Sequence, residues 1–318
     1  MLFTLILALP FLSLSLGAPA PLPLFGIHIN SGPSTNAKTT AIAAKMVDSQ
    51  LVRPALFSRL AYCSAVKTKS LTCGAPCDAV KGISVVTAGG DDGKVPGFFI
   101  ATDPSTQSVI VAHQGTDSTN IMSIANDVKF VQKGMDAKVF PKADKDAKVH
   151  DGFQDAQVRT ADTVLKTVQD TLTKSKFKRV LVTGHSLGAA IAMLDGVMLK
   201  MALPANVEVS AVVFGLPRVG NEAFANMVDK LLPSFTHVTN QKDPVPLLPP
   251  KLLDFQHPAG EVHISSVDSK SGKAALVACP GQENKNCADN NSLLTPSISN
   301  HEGPYFNNIS FGSHACPV

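Results

Sequence analysis

The run Val180-Leu181-Val182-Thr183-Gly184-His185-Ser186-Leu187-Gly188-Ala189-Ala190 constrains this chain more than any other feature. It sets Gly-x-Ser-x-Gly between a short apolar, β-branched segment and a stretch of helix formers. A strand that turns this tightly into a helix leaves no room for side chains at Gly184 and Gly188. It also forces Ser186 into a strained backbone conformation that pushes its hydroxyl out of the fold. The amide of Leu187, first in the helix, has no intrahelical acceptor and lies at the positive end of the helix dipole, so it suits an oxyanion developing on a bound carbonyl. The spacing predicts an outward-facing nucleophilic serine on an α/β scaffold.

The rest of the chain supports that scaffold. Residues 97–101, 108–112, 179–183 and 209–214 are short, largely apolar runs that read as buried strands. Ala161, Val164, Leu165, Val168 and Leu172 recur at helical spacing with Asp162, Lys166, Gln169 and Asp170 on the other side, which makes an amphipathic helix. Further helices are expected after Ser186 and over residues 221–232. Strands therefore alternate with helices, and a mainly parallel central sheet covered by helices on both faces results. Residues 41–62 are helical in pattern, and Pro54 is expected to split or kink them because it removes a donor and clashes with the preceding turn.

Composition excludes other classes. Of 318 residues, 44% are hydrophobic and 17% charged, with a formal net charge of +3, which fits neither a disordered chain nor a basic nucleic-acid binder. No internal repeat is visible. The apolar run over residues 2–16, followed by Gly17, Ala18 and Ala20, reads as a signal peptide over residues 1–20 with its cut between 17 and 20. It falls short of the ~20 residues that span a bilayer, so no transmembrane segment is expected. Residues 21–40 read as an extended N-terminal arm and residues 41–318 as a single domain. Six cysteines in a secreted chain favour disulfides, although the count leaves their pairing open. Asn290 and Asn308 head acceptor sequons for N-glycans. With no H-E-x-x-H, zinc quartet or G-x-G-x-x-G, no metal and no cofactor is expected.

A serine hydroxyl needs an imidazole to take its proton and a carboxylate to orient that imidazole, and in this fold the chain order is Ser, acid, His. Asp243, in Asp243-Pro244-Val245-Pro246, follows the apolar patch at residues 235–238 and stands at an expected strand end. Asp195 lies on the helix after the serine, a poor place for the acid, and Asp254 and Asp268 are weaker rivals. Four histidines follow: His257, His263, His301 and His314. His263 alternates with apolar neighbours like a strand side chain and His314 stands beside Cys316, while His257 and His301 both lie in turn-like segments. Spacing does not choose between these two.

Taken together, these residues resemble the secreted fungal lipases of class 3, and most of all the basidiomycete type. The likeness covers roughly residues 61–316. It rests on Ala61-Tyr62-Cys63, His113-Gln114-Gly115-Thr116, Val149-His150-Asp151-Gly152-Phe153, the Ser186 turn, the run from Phe214-Gly215-Leu216-Pro217-Arg218 to Val219-Gly220-Asn221, Asp243-Pro244-Val245-Pro246, and His301-Glu302-Gly303-Pro304-Tyr305-Phe306. The resemblance implies an α/β-hydrolase fold with a short helical lid, Ser186 as nucleophile, Asp243 as orienting carboxylate and His301 as general base. It further implies that Thr116 joins Leu187 in the oxyanion hole, and that Cys63 pairs with Cys316 and Cys73 with Cys77, leaving Cys279 for Cys287. Residues 118–130 take the place of the lid, with Ile121, Met122, Ile124 and Val128 as its apolar side.

The implied function is hydrolysis of triacylglycerol esters at lipid–water interfaces through an acyl-enzyme, outside the cell, by a chain taken as a monomer that binds no nucleic acid. A soluble carboxylic-ester or feruloyl esterase is the alternative, and an inactive lipid-binding protein a third. The filamentous members differ in having Phe-Arg where this chain has His113-Gln114, and a lid Trp, a residue type this chain lacks.

Overall fold

A computed structural model of the chain describes residues 25–27, 29, 32–33, 36–91, 94–116 and 130–316. The expected signal peptide lies outside the described residues, and so do residues 118–129 of the expected lid, with Ile121, Met122 and Ile124.

Eleven strands form among the described residues: β1 (Thr40–Ala41), β2 (Ser84–Gly89), β3 (Phe98–Asp103), β4 (Ser108–His113), β5 (Gln132–Gly134), β6 (Lys148–His150), β7 (Arg179–His185), β8 (Glu208–Phe214), β9 (Thr236–Asn240), β10 (Glu261–Val267) and β11 (Ala274–Cys279). Nine of them make one sheet in the order β1-β11-β10-β9-β8-β7-β4-β3-β2, and β5 pairs with β6. The five central strands, β4 to β10, run parallel, and antiparallel pairs close both edges.

Each parallel step between β4 and β9 is made through a helix. These are α5 (Asp151–Ser175), α6 (Leu187–Ala202) and α7 (Glu222–Leu231), and the last is capped by the Asn221 side chain, which accepts from the Phe224 amide at 3.1 Å. Four short helices, α1 (Ala44–Gln50), α2 (Val52–Leu60), α3 (Ala65–Ser70) and α4 (Ala75–Asp78), precede β2, and α8 (Ile298–Glu302) lies near the C-terminus.

Strand alternation divides the core in two. Ile100, Val109, Val111, Val180, Val182, Ala211 and Val213 pack on one face with α5, α6 and α7. Phe99, Ala101, Ile110, Leu181, Val212, Phe214 and Val238 pack on the other with α1, α2 and the segment 305–311. This is the doubly covered, mainly parallel sheet expected from the sequence, and its runs of fully buried strand residues follow from having helices on both sides.

The break in the first helical stretch falls elsewhere than expected. The helices part at Leu51, and Pro54 sits inside α2. Position explains this: Pro54 is in the first turn of α2, where an amide has no intrahelical acceptor to lose. The arm also does more than extend. Phe25, Ile27 and Ile29 are buried against the second core face, the Ile27 amide donates to Thr236 Oγ1 at 2.8 Å, and β1 pairs with β11. Cys63–Cys316, Cys73–Cys77 and Cys279–Cys287 are bonded as the resemblance implied. No helix of the described residues is long and apolar enough to cross a membrane.

Candidate active site

The carboxyl ends of β4, β7, β8 and β9 lie side by side, with His113 opposite Gly184, His185 opposite Phe214 and Phe214 opposite Val238. Ligands of open parallel sheets gather at such ends. Ser186 caps β7 with φ 59° and ψ −126°, a left-handed conformation that costs a residue with a Cβ about 1–3 kcal/mol. Neighbours hold it there: its amide donates to Phe214 O at 3.0 Å, and a Cβ on Gly184 would strike the Gly188 carbonyl while one on Gly188 would strike His113 O. Leu187, the first residue of α6, is half-buried beside it, as is Thr116 beyond β4.

Asp243 and His301 meet from distant parts of the chain. Asp243 Oδ2 lies 2.9 Å from His301 Nδ1, and both side chains are buried. Asp243 is also the turn residue that an Asp-Pro pair suggests, because its Oδ1 accepts from the Val245 amide at 2.9 Å. With Nδ1 donating to the carboxylate, His301 Nε2 is left bare, and that buried nitrogen has no hydrogen-bond partner among the described residues. The His301 ring packs against Gly215 at the end of β8 and lies 4.4 Å from the ring of His185, the residue before Ser186.

His185 is a second, silent imidazole. Its Nε2 is 2.8 Å from the His301 carbonyl, which only accepts, so the proton resides there and Nδ1 accepts from the Tyr62 hydroxyl at 2.7 Å. Burial, reinforced by the neighbouring His301, holds it well below the ordinary histidine range, so it stays neutral. Asn240, at the end of β9, donates to Asn300 O at 2.8 Å and Pro304 O at 3.1 Å, which pins the loop that carries His301. Arg218 is buried and makes a bidentate pair with Glu283 at 2.7 and 2.9 Å, while its Nη1 donates to Leu247 O and Pro249 O. Burial pushes the Glu283 carboxyl up, but Arg218 and His257 outweigh it and bring it to about 2. This pair fastens the loop after Asp243 to the segment that holds Cys287.

The rival residues point elsewhere. His257 Nε2 bonds the Pro246 carbonyl at 2.9 Å and its ring stacks on His237 at 4.9 Å. His263 is a strand residue of β10 bonded to Thr239 Oγ1, and His314 is exposed. Asp254 and Asp268 lie in surface turns. Asp195 is not near His301 but pairs with His113, a contact spanning 82 residues that no local pattern announces. In the sequence His150 stands out only as part of Val149-His150-Asp151-Gly152-Phe153. It is buried with both ring nitrogens unpaired among the described residues, is ringed by Phe130, Phe153 and Phe255, and is kept low by burial. The sequon residues Asn290 and Asn308 are both solvent-exposed.

Comparison with known proteins agrees with this arrangement. The sequence model of the class 3 lipases matches residues 110–253. A secreted mono- and diacylglycerol lipase of Malassezia globosa is 37% identical over 214 residues, 66% of this chain and 67% of that protein. Another, of Malassezia restricta, is 38% identical over 62% of this chain and 61% of that protein, so this chain spans rather less than two thirds of its length. Among solved structures, the triacylglyceride lipase of Rhizomucor miehei superposes with a TM-score of 0.75 at 25% identity, over 87% of this chain and 99% of that one. Lipase II of Rhizopus niveus does so at 0.75 and 26%, with the same coverage. The chain belongs to the class 3 lipase family, among the secreted lipases of fungi.

Proposed function

We propose that this protein is an extracellular serine hydrolase that cleaves the ester bonds of acylglycerols, triacylglycerols included, at a lipid–water interface. The observation that carries the reading is the buried His301–Asp243 pair, with its free Nε2, beside a serine held in a strained turn. Ser186 Oγ attacks the ester carbonyl carbon while its proton passes to His301 Nε2. The carbonyl π electrons move onto oxygen, and the resulting oxyanion is met by the amides of Leu187 and Thr116 and by the Thr116 hydroxyl. Asp243 holds the imidazolium in place. Collapse of the oxyanion breaks the bond to the glyceride oxygen, which takes the proton from His301 and leaves. Water then attacks the acyl-serine by the same route, releasing the fatty acid and restoring Ser186.

Two features favour an interface over dissolved esters. The curated relatives are named for mono- and diacylglycerols and a solved one for triacylglyceride, all poorly soluble substrates. Leu252 and Leu294 are 94% and 92% exposed on segments flanking the acid and histidine loops, which Lys251 and Asp289 join at 2.6 Å. Aqueous solvent gives such side chains no stabilisation, whereas a lipid surface does.

The test measures initial rates on tributyrin across its solubility limit, and on emulsions of mono-, di- and trioleoylglycerol, for the parent and Ser186→Ala. A steep rise beyond the limit, activity on emulsions and their loss in the variant are expected. Smooth saturation below the limit with no emulsion activity would mean a soluble-ester hydrolase instead.

A further inference from the structure

We propose that His113 and Asp195 form a positioning pair that sets the width of the oxyanion hole. The inference rests on the assignment of Thr116 and Leu187 as oxyanion donors. Those donors come from two different elements: Thr116 from the segment leaving β4, Leu187 from the start of α6. Their separation is therefore not fixed by the chain between them and must be fixed by contacts between β4 and α6.

His113 ends β4 and Asp195 lies on the middle of α6. Their side chains meet at 2.7 Å, from His113 Nε2 to Asp195 Oδ2, and are 1% and 0% exposed. Gln157 of α5 donates to the other carboxylate oxygen at 2.8 Å, so Asp195 is held on both oxygens and cannot swing away. Phe98, opposite His113 on β3, stacks on its ring with centroids 6.0 Å apart and planes 26° from parallel.

The backbone around this bond is close-packed. No Cβ fits at Gly188 because the carbonyls of His113 and Gln114 occupy its place. A Cβ at Gly115 would come within 3.0 Å of Ser186 Cβ and would also strike the Tyr62 hydroxyl and His185 O. Gln114 anchors the other side, its amide donating to Gly97 O at 2.7 Å and its Oε1 accepting from the Gly97 amide at 2.9 Å. The segment 113–116, which ends in Thr116, is thus fastened to α6 by the ring of His113 and by Gln114 to Gly97, the residue before β3.

An apolar pair would fill the same space without the cost of burying an acid. What a charge-assisted hydrogen bond adds is a fixed length and direction. That is what two donors aimed at one oxygen need, because their contribution depends on distances of 2.7–3.1 Å, as hydrogen bonds to an oxyanion generally do.

The readout is the ratio of kcat on an oxygen ester, p-nitrophenyl butyrate, to kcat on its thiono analogue, in which sulfur replaces the carbonyl oxygen. Sulfur is a weak acceptor and draws little from the hole, so damage to the hole lowers the oxygen ester far more than the thiono ester. Removal of one whole donor costs ~10²–10³ in turnover. Asp195→Asn and His113→Gln, which keep volume and polarity, are expected to lower kcat on the oxygen ester by about 10–100-fold with KM within about twofold, and to lower the ratio with it. The double variant His113→Phe/Asp195→Leu keeps the core filled and is expected to fold while still showing the lowered ratio.

Equal losses on both esters would mean that the pair merely supports the fold, and would overturn the inference. Thr116→Ala separates the two layers of argument. If it lowers the ratio while the pair variants leave it at the parent value, the positioning role is wrong and the oxyanion assignment stands. If none of the variants moves the ratio, the Thr116 hydroxyl is not an oxyanion donor and the inference fails with it.

Discussion

On the serine side, one tight turn between β7 and α6 places the hydroxyl, and its support is mostly backbone: the Ser186 amide on Phe214 O and glycines packed on carbonyls. On the acid and histidine side, Asp243 reaches the site from the turn after β9 and His301 from the short helix α8, and their support is side-chain chemistry. Asn240 holds the His301 loop, the hydroxyl of Tyr305 and the ring of His185 hold the His301 carbonyl, and Arg218 with Glu283 holds the loop after Asp243. The first region is fixed by sterics that a few adjacent residues encode. The second is fixed by buried polar groups that must all find partners. Substitutions should therefore affect the two sides differently, abolishing chemistry on one and loosening geometry and stability on the other.

The largest expected effect is on the serine side. Ser186→Ala should lower kcat on tributyrin by about 10⁴-fold or more while leaving the unfolding transition close to the parent's, as measured by denaturant titration. Retained activity would break the comparison at once.

Next, on the loop side, Arg218→Met leaves the buried Glu283 without its counter-charge, held only by the His257 amide, and should destabilise the fold by about 3–5 kcal/mol in urea unfolding. The double variant Arg218→Met/Glu283→Leu should recover much of that loss. If the single and double variants are equally stable, the ion pair is not the fastener.

Asn240→Ala is smaller and more specific. It strands the carbonyls of Asn300 and Pro304, and a loss of about 1–3 kcal/mol in stability is expected, with kcat falling more than KM changes because the His301 ring is less well held. Unchanged kinetics would show that the histidine is held without this amide.

How far the site can be read from sequence follows the same division. Residues 180–190 carry their own geometry, so the turn at Ser186 and the strands beside it were legible from periodicity and two glycines. Asp243 was legible as a carboxylate at a strand end. His301 was not separable from His257 by local pattern, because α8 has only five residues and owes its place to Asn240, to Tyr305 and to contacts far along the chain. Family likeness chose it, and the geometry places it on Asp243. Asp195 lies on a helix, a poor place for the acid by sequence, and it is bonded to His113 and not to His301. Its bond to His113 remained invisible because only the folded sheet brings β4 against α6. The misplaced break at Pro54 has the same cause in miniature, since proline signals a helix end only when its position in the helix is known.

The smallest effect concerns pH. Burial raises the Glu261 carboxyl from 4.5 to about 7, so the folded state keeps a proton that the unfolded chain releases, and the stability linked to that proton is lost as pH rises from about 4.5 to 7. His257 and His263 are lowered from 6.5 to about 4 by burial, so their contribution is present above about 6.5 and is lost as pH falls toward 4. The two trends oppose one another between these values. Glu261→Gln keeps an acceptor for the Thr239 hydroxyl and the Ala288 amide but removes the loss of stability as pH rises. Its melting temperature should exceed the parent's by about 2–4 °C at pH 8 and match it near pH 4. A difference that persists at pH 4 would mean that the carboxyl acts through something other than its proton.

The central claim is that Ser186 is a nucleophile activated by His301 and Asp243. Its most direct test is labelling with a fluorophosphonate, followed by peptide mass mapping of the parent, His301→Ala and Asp243→Asn. A single adduct on Ser186 is predicted, forming at least about 10³-fold more slowly in His301→Ala. An adduct on another residue, or a rate that His301→Ala leaves unchanged, would contradict the account.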